Sequence, residues 1–196
     1  METLSCIATR HSTRNFKPDM VPESLLEQVI EAGRLAPSGK RMNQNHFLVV
    51  RSPEVLEKLT LLVREEFAKM ELTPETEENI IGAIKRAKKG DYVFRYNAPV
   101  LIIVANKKNY GNNMADAACA MENMMLAACA MGVGSCWVNQ PFHLRDNEEM
   151  KALLAQLGVG EEEFPCCSLA LGLPAGELFP GRPERTGNAV TWVTGE

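Results

Sequence analysis

Pro99-Val100-Leu101-Ile102-Ile103-Val104-Ala105 is an unbroken apolar run that is rich in β-branched side chains. Strands that are buried on both faces of a sheet show this pattern, because no polar side chain alternates toward solvent. We therefore predict a central strand here, covered on both faces by other elements.

Shorter apolar runs and helical periodicities flank this strand. Three further strands are predicted, at His46–Val50, Ser135–Val138 and Cys166–Gly172. Helices are predicted at 3–9, 22–36, 113–131 and 147–157, and residues 53–89 predict two helices separated near Thr73-Pro74. The mixture predicts an α+β chain that forms a single domain over residues 1–196, with a central sheet flanked by helices.

Composition limits the classes of partner. With 196 residues, 45% of them hydrophobic, the chain is long enough to bury one sizeable core. A net charge of −4 argues against nucleic acid or an anionic membrane as the main partner. No signal segment opens the chain, and the apolar stretch 114–131 is too short and too charged to span a membrane.

The cysteines indicate the compartment. The six cysteines form no CxxC pair and no Cys/His spacing that suits zinc, so no metal site is predicted. Cys166 and Cys167 are adjacent in an apolar run, where cysteine usually acts as a small buried hydrophobe. We therefore predict a reduced, cytoplasmic protein without structural disulfides.

The helix at 113–131 is composed mainly of alanine, methionine and cysteine and has almost no polar face. A helix that is apolar all round must be buried all round. In a chain of this size, the core would cover one side and a second subunit the other. The pattern therefore predicts a homodimer.

The segment Arg10-His11-Ser12-Thr13-Arg14-Asn15-Phe16 alternates cationic and hydroxyl side chains. In extended backbone Arg10, Ser12 and Arg14, here called the Arg-Ser-Arg motif, point the same way. Forked cationic donors on either side of a hydroxyl suit a dianionic phosphate. The alternative is a solvated basic turn between two helices, and this segment alone leaves it open.

Other catalytic arrangements find no support. His11, His46 and His143 are scattered, and no Ser/His/Asp or Cys/His arrangement is indicated. Cys136 is interpreted as a buried strand residue rather than a redox thiol, and Glu122 as a paired structural charge rather than a base.

Taken together, the segments resemble the FMN-dependent nitroreductase family. The resemblance rests on ordered motifs that together cover nearly the whole chain, although residues 57–89 look variable and are a candidate lid. The motifs are Arg10–Phe16, Ala36-Pro37-Ser38-Gly39 leading to His46-Phe47, Ala98–Val104, Gly132–Trp137 and Leu171–Pro174. The resemblance implies a three-layer α+β fold with a central, mostly antiparallel sheet, assembled as a homodimer.

The resemblance also gives the Arg-Ser-Arg motif a ligand. In the family this segment holds the FMN phosphate and ribityl chain, which implies cofactor contacts for Arg10, His11, Ser12 and Arg14. An arginine near the C-terminus completes the phosphate site, and Arg182 and Arg185 are the two candidates.

Further cofactor contacts are implied by position. Family members bind FMN at the dimer interface, with the Pro-Ser-Gly turn supplied by the second subunit. The implied contacts are Pro37, Ser38, Gly39, Arg41 and Asn43 from the turn, and Trp137, Val138, Asn139 and Gln140 beside the flavin N5. Arg41 and Asn43 depart from the family's usual Asn-x-Gln pattern at these positions.

Arg95 is a second departure, because it occupies a position where related enzymes carry an asparagine near the flavin pyrimidine. We interpret it as a candidate cofactor contact that would stabilise anionic reduced flavin and raise its reduction potential. The alternative is that Arg95 points to solvent or pairs with Asp91.

The activity implied is ping-pong transfer from NADH or NADPH through FMN to an electron-poor small molecule such as a nitroaromatic or a quinone. No side-chain acid or nucleophile is required, because the flavin carries the hydride. Two alternatives stay open: other flavin chemistry on this fold, such as reductive dehalogenation or flavin consumption, and a flavin-binding protein without enzymatic activity.

Overall fold

A four-stranded antiparallel sheet forms the middle layer of the molecule. The computed structural model describes residues 2–177 and 187–195 of the chain. The strands are β1 (His46–Val50), β2 (Val100–Lys107), β3 (Gly134–Val138) and β4 (Glu163–Gly172), in the spatial order β1-β2-β4-β3. The edges of the sheet are therefore β1 and β3, which are distant in sequence.

Helices cover both faces of this sheet. They are α1 (Thr3–Thr9), α2 (Glu23–Arg34), α3 (Pro53–Lys69), α4 (Glu78–Lys89), α5 (Asn113–Ala130), α6 (Gln140–His143) and α7 (Glu148–Gln156). A short 3₁₀ helix, Gly39–Arg41, lies between α2 and β1. Among the described residues, none of these helices has the length and apolar character needed to cross a membrane.

The central strand is confirmed by its burial. Residues 100–106 of β2 are all buried, and their side chains alternate between two cores. Leu101, Ile103 and Ala105 pack in the core that includes α3, α4 and α7. Val100, Ile102 and Val104 pack in the core that includes α2 and α5. Helix, sheet and helix therefore form three layers.

The predicted elements agree with the structure, apart from their ends. β1 has the predicted bounds, and two helices separated by residues 70–77 occupy 53–89. β4 begins at Glu163 rather than Cys166, because its first residues pair with the polar end of β2, where Lys107 faces Glu163. The strand is longer than its apolar run because hydrogen bonds, rather than hydrophobicity, define its start.

Residues 57–89, the predicted variable segment, contribute to the core. Leu59, Val63 and Phe67 from α3 and Ile84 from α4 are completely or almost completely buried. The connection at residues 70–77 is mostly exposed. The role of this segment as a lid stays a prediction.

The first helix leaves an apolar face open. Cys6 is the buried residue of α1, whereas Leu4 and Ile7 are 80% and 56% exposed. On α5, likewise, Ala115 and Cys119 are exposed although the opposite side of the helix is buried. One copy of the chain therefore does not bury all of its apolar helical surface.

At Gly33, helix α2 packs closely on Met124 of α5 and Phe47 of β1. A Cβ at this position would lie 2.9 Å from Met124 Cγ and 3.0 Å from Phe47 Cε1. We expect Gly33→Val to lower the free energy of unfolding by about 1–3 kcal/mol through overpacking. Urea denaturation measures the change.

Gly82 in α4 provides the control, because a Cβ there would meet nothing within 4 Å. Gly82→Ala should raise the free energy of unfolding by about 0.5–1 kcal/mol, since glycine is a poor helix former. Equal stability of Gly33→Val and the parent would contradict the close α2–α5 packing.

Candidate functional site

The Arg-Ser-Arg motif follows α1 along the edge of the sheet at β3. The Thr13 N–H donates to the Ser135 carbonyl at 2.9 Å. Thr13 is buried, and its side chain packs on Gly134, where a Cβ would lie 2.8 Å from Thr13 Cγ2. On either side of Thr13, Ser12 is half-buried and Arg14 is exposed. This is the alternation that extended backbone requires.

Cys136 of β3 lies within electrostatic range of all three members of the motif. Burial raises the pKa of the Cys136 thiol, and it outweighs the opposing effects of Arg14, a Ser12 hydrogen bond and Arg10. Cys136 is 2% exposed. Its thiol therefore stays protonated at neutral pH, which supports its interpretation as a buried structural residue.

The two arginines differ in their contacts. Arg10 Nε lies 3.8 Å from Glu122 Oε1 of α5, which confirms the prediction that Glu122 is a paired charge. Arg14 lies with its Cζ 5.8 Å from the centre of the Tyr96 ring. Within residues 2–177 and 187–195, no carboxylate forms an ion pair with Arg14. Its Nη1 donates to the Ser12 carbonyl at 3.5 Å, so among the described residues its charge is not neutralised by a carboxylate, and half-buried His11 is nearby in sequence.

The chain that leaves β3 carries the next predicted contacts. Trp137 Nε1–H donates to Asn139 Oδ1, and the carbonyl of buried Val138 accepts from Ser168. Gln140 Nε2 donates to the Tyr92 hydroxyl at 2.6 Å, whereas Gln140 Oε1 is buried without a hydrogen-bond partner in the described residues.

Tyr92 is a neutral hydrogen-bonding partner for Gln140. Burial raises the pKa of its hydroxyl, nearby Tyr96 raises it further, and the bond from Gln140 acts in the opposite direction. The phenol therefore stays protonated through the physiological range. This contact joins the end of β3 to the segment that follows α4.

Arg95 occupies a buried position beside α3. It is 9% exposed, with Nε 3.1 Å from Thr60 Oγ1 and Nη1 2.6 Å from the Ala98 carbonyl. Burial lowers the pKa of this guanidinium. Both parts of the predicted alternative are wrong: Arg95 does not point to solvent, and Asp91 pairs with Arg86 instead. The contact between Arg95 and the flavin stays a prediction.

The Arg95→Gln variant separates these two roles. We expect it to lower the free energy of unfolding by about 1–3 kcal/mol, because the buried Ala98 carbonyl loses its charged donor. Thermal denaturation measures this change, and unchanged stability would contradict the buried contact. A lower flavin midpoint potential in the same variant would support the predicted contact between Arg95 and the flavin. An unchanged potential would contradict it.

The Pro-Ser-Gly loop, residues 37–43, adopts a constrained conformation. Lys40, Arg41 and Asn43 all have left-handed backbone angles, with φ of 52°, 55° and 50°. The Ser38 hydroxyl donates to Asn43 Oδ1 at 3.0 Å and accepts from the Asn43 N–H at 3.1 Å. Left-handed residues other than glycine persist only where their surroundings hold them. Pro37 and Arg41 are exposed, so the loop presents these residues outward.

A cavity of about 320 Å³ lies beside the loop. Its lining comes from the end of α2, from the loop and from β1, and includes Arg34, Ser38, Asn43, Asn45 and Phe47.

Asp116 and Tyr110, which the sequence reasoning did not assign to the site, hold the loop from α5 and from the segment before it. The single aspartate in the alanine- and methionine-rich helix α5 was the available signal.

The Arg-Ser-Arg motif and the Pro-Ser-Gly loop lie at opposite corners of the sheet. The motif lies at the start of β3, beside Gly172 of β4. The loop leads into β1, where His46 is in register with Ala105 and Ala105 with Pro165 of β4. The two positions on β4 are seven residues apart, about 23 Å, and the edge strands are three spacings apart, about 14 Å. The strand ends that adjoin the motif and the loop are therefore separated both along and across the sheet.

Two of the predicted site residues, Arg182 and Arg185, lie outside the described residues. In the part of the chain that the structure describes, no group of His, Cys, Asp or Glu side chains could hold a metal ion.

The sheet between two helical layers and the cationic motif at its corner define an α+β protein with a candidate anion site. The model of the nitroreductase family matches residues 7–173. The chain belongs to the nitroreductase family.

Relatives and solved structures agree with this assignment. A provisionally named NADH dehydrogenase/NAD(P)H nitroreductase of Archaeoglobus fulgidus is 30% identical over 90% of this chain and 87% of its own length. The structure of a nitroreductase with bound FMN from Bacteroides fragilis superposes with a TM-score of 0.86 at 33% identity, covering 98% of this chain and 99% of that one.

A more distant structure shares the fold alone. An iodotyrosine deiodinase bound to FMN and 3-iodo-L-tyrosine gives a TM-score of 0.72 at 18% identity, covering 98% of this chain and 100% of that one. The predicted nitroreductase-like three-layer α+β fold is confirmed.

Proposed function

We propose that this protein is an FMN-dependent oxidoreductase, active as a homodimer, that uses NADH or NADPH to reduce an electron-poor small molecule of the nitroaromatic or quinone type. The family assignment and the FMN bound by the Bacteroides fragilis relative support the cofactor. The name of the Archaeoglobus fulgidus relative supports the nicotinamide donor.

The residues of the motif fit the phosphate of FMN. Arg10, Ser12 and Arg14 all act on the Cys136 thiol, and Arg14 has no carboxylate partner among the described residues. Two guanidiniums and a hydroxyl provide charge-assisted donors for a dianion, each worth about 1.5–3 kcal/mol. Gln140 Oε1, buried and without a hydrogen-bond partner among the described residues, provides an unused acceptor at the other end of β3.

The separation of motif and loop is the observation that carries the dimeric assignment. The two predicted cofactor-binding segments adjoin opposite corners of the sheet, which supports our assignment of the loop at each site to a second copy. A two-fold symmetric dimer would build two equal sites in this way.

Exposed apolar side chains indicate where a second copy would pack. Leu4 and Ile7 of α1 lie on the surface, and in the C-terminal segment Val190, Trp192 and Val193 are 73%, 84% and 93% exposed. Surfaces of this kind mark interfaces when they form contiguous patches.

The side chains bind and orient, and none is assigned as an acid, base or nucleophile. When bound, FMN supplies the hydride and electron transfer between nicotinamide and acceptor. Arg10, Ser12 and Arg14 would hold its phosphate, with His11 beside them. The backbone of Val138, Asn139 and Gln140 would face the ring. Pro37, Ser38 and Gly39 would come from the second copy. Trp137, Arg41, Asn43 and Arg95 are assigned to the surrounding pocket.

The experiment starts from the purified protein loaded with FMN. We expect a bound-flavin absorption spectrum, and oxidation of NADH or NADPH that accelerates when nitrofurazone is added. A protein that cannot be loaded with FMN would contradict the proposal. FMN binding without nicotinamide oxidation would indicate a non-enzymatic flavin protein, and faster turnover of a halotyrosine than of nitrofurazone would indicate reductive dehalogenation.

A further inference from the structure

We propose that Asp116 and Tyr110 are positioning residues that lock the Pro-Ser-Gly loop in the conformation that contacts FMN. The inference rests on the proposed function, because the loop belongs to the cofactor site only if FMN binds there. Neither residue belongs to the predicted contact set, and both act on the flavin only through the loop.

Asp116 is anchored in the first turn of α5 and is 4% exposed. Its Oδ1 accepts the Gly39 N–H at 3.1 Å, and its main-chain carbonyl accepts from Asn45 Nδ2 at 3.0 Å. The same residue therefore fixes the 3₁₀ turn of the loop and the entry of the loop into β1.

Tyr110 closes the contact from the other side. Its hydroxyl lies 2.9 Å from Asp116 Oδ2 and 3.2 Å from the Gly39 carbonyl. Burial and the Asp116 hydrogen bond raise the pKa of Tyr110, so the phenol stays protonated as a donor. The single hydroxyl hydrogen of Tyr110 is shared between these two acceptors, so Asp116 holds Gly39 at its N–H and the Gly39 carbonyl shares the Tyr110 donor.

Gly39 leaves the space that this arrangement needs. A Cβ on Gly39 would lie 2.5 Å from the Tyr110 hydroxyl and closer still to Asn112 Nδ2. The glycine therefore permits the tyrosine and the carboxylate to approach the backbone.

The Asp116 carboxylate is held by hydrogen-bond donors rather than by a cationic side chain among the described residues. In the described residues no Lys, Arg or His forms an ion pair with this carboxylate. The N-terminal end of α5 and the two hydrogen-bond donors compensate the charge. Such a carboxylate is a strong acceptor, which suits the task of holding strained backbone at Lys40, Arg41 and Asn43.

Trypsin cleavage after Lys40 or Arg41 tests the lock without any cofactor. Both side chains are exposed, but the held conformation should keep the peptide bonds from fitting a protease. We expect trypsin to cut the Asp116→Asn apoprotein there about tenfold faster than the parent. A loss of about 1.4 kcal/mol in the stability of the closed loop increases the population of the open loop about tenfold. Tyr110→Phe should show a smaller increase.

The same variants then test the connection to the cofactor. The FMN dissociation constant should rise about tenfold in Asp116→Asn, and the visible circular dichroism of the bound flavin should change. Asp146→Asn is the matched control, because Asp146 is a highly exposed aspartate whose ion pair with Arg145 lies at the surface. It should leave cleavage and FMN affinity unchanged.

The outcomes distinguish the inference from the proposed function. Unchanged cleavage in Asp116→Asn would overturn the lock, and faster cleavage with unchanged FMN affinity would overturn its role in the cofactor site. A parent protein that binds no FMN would instead overturn the proposed function, while the cleavage assay would still report on the loop.

Discussion

The Arg10→Ala/Arg14→Ala variant is expected to lose FMN, with a dissociation constant raised by at least about 100-fold. Each charge-assisted hydrogen bond to phosphate is worth about 1.5–3 kcal/mol, so removing two costs about 3–6 kcal/mol. Every 1.4 kcal/mol is about tenfold in affinity. Titration of the apoprotein with FMN, followed by quenching of flavin fluorescence, measures the change.

Two controls separate specific recognition from net charge. Arg51→Ala removes one positive charge where the double variant removes two, but Arg51 follows β1 at the opposite edge of the sheet and pairs with Glu23. It should leave the affinity unchanged. Arg14→Lys keeps the charge and loses the planar fork, so it should fall between the parent and Arg14→Ala. Equal FMN affinity in the double variant and in Arg51→Ala would contradict the phosphate assignment.

The layers of the fold could be predicted from the sequence because their signals are local. The apolar run over Val100–Val104 predicted a strand buried on both faces, and Thr73-Pro74 predicted the break between two helices in residues 53–89. The extended alternation of Arg10, Ser12 and Arg14 was also a local pattern. Such patterns depend only on the periodicity of the backbone and on turn chemistry.

The contacts within the site could not be predicted in this way. Gly39 meets Asp116 across 77 positions of sequence, and Arg95 meets Thr60 across 35. No periodicity relates residues at such separations, because tertiary packing brings them together. Arg95 looked equally suited to solvent, to Asp91 or to a flavin, and only the position of α3 shows its partner.

The spatial order of the strands could not be predicted from the sequence pattern either. The sequence order of the strands differs from the spatial order β1-β2-β4-β3, which places β1 and β3 at opposite edges. That order determines the distance between the Arg-Ser-Arg motif and the Pro-Ser-Gly loop. The family resemblance implied a site shared between subunits, and the topology supplies an independent physical reason for it.

A dimer assembled from two different variants tests the shared site. The motif-deficient subunit carries Arg10→Ala/Arg14→Ala, and the loop-deficient subunit carries Gly39→Val, whose side chain overlaps the Tyr110 hydroxyl. In a shared arrangement, one of the two sites combines the intact motif of one subunit with the intact loop of the other. The second site carries both defects.

The most direct measurement is the FMN stoichiometry of this mixed dimer, purified through a different affinity tag on each subunit. The account predicts one FMN per mixed dimer, at a concentration where the parent dimer binds two and each variant homodimer binds none. If each site were built from one chain, both sites of the mixed dimer would be defective. A mixed dimer that binds no FMN would therefore contradict the account.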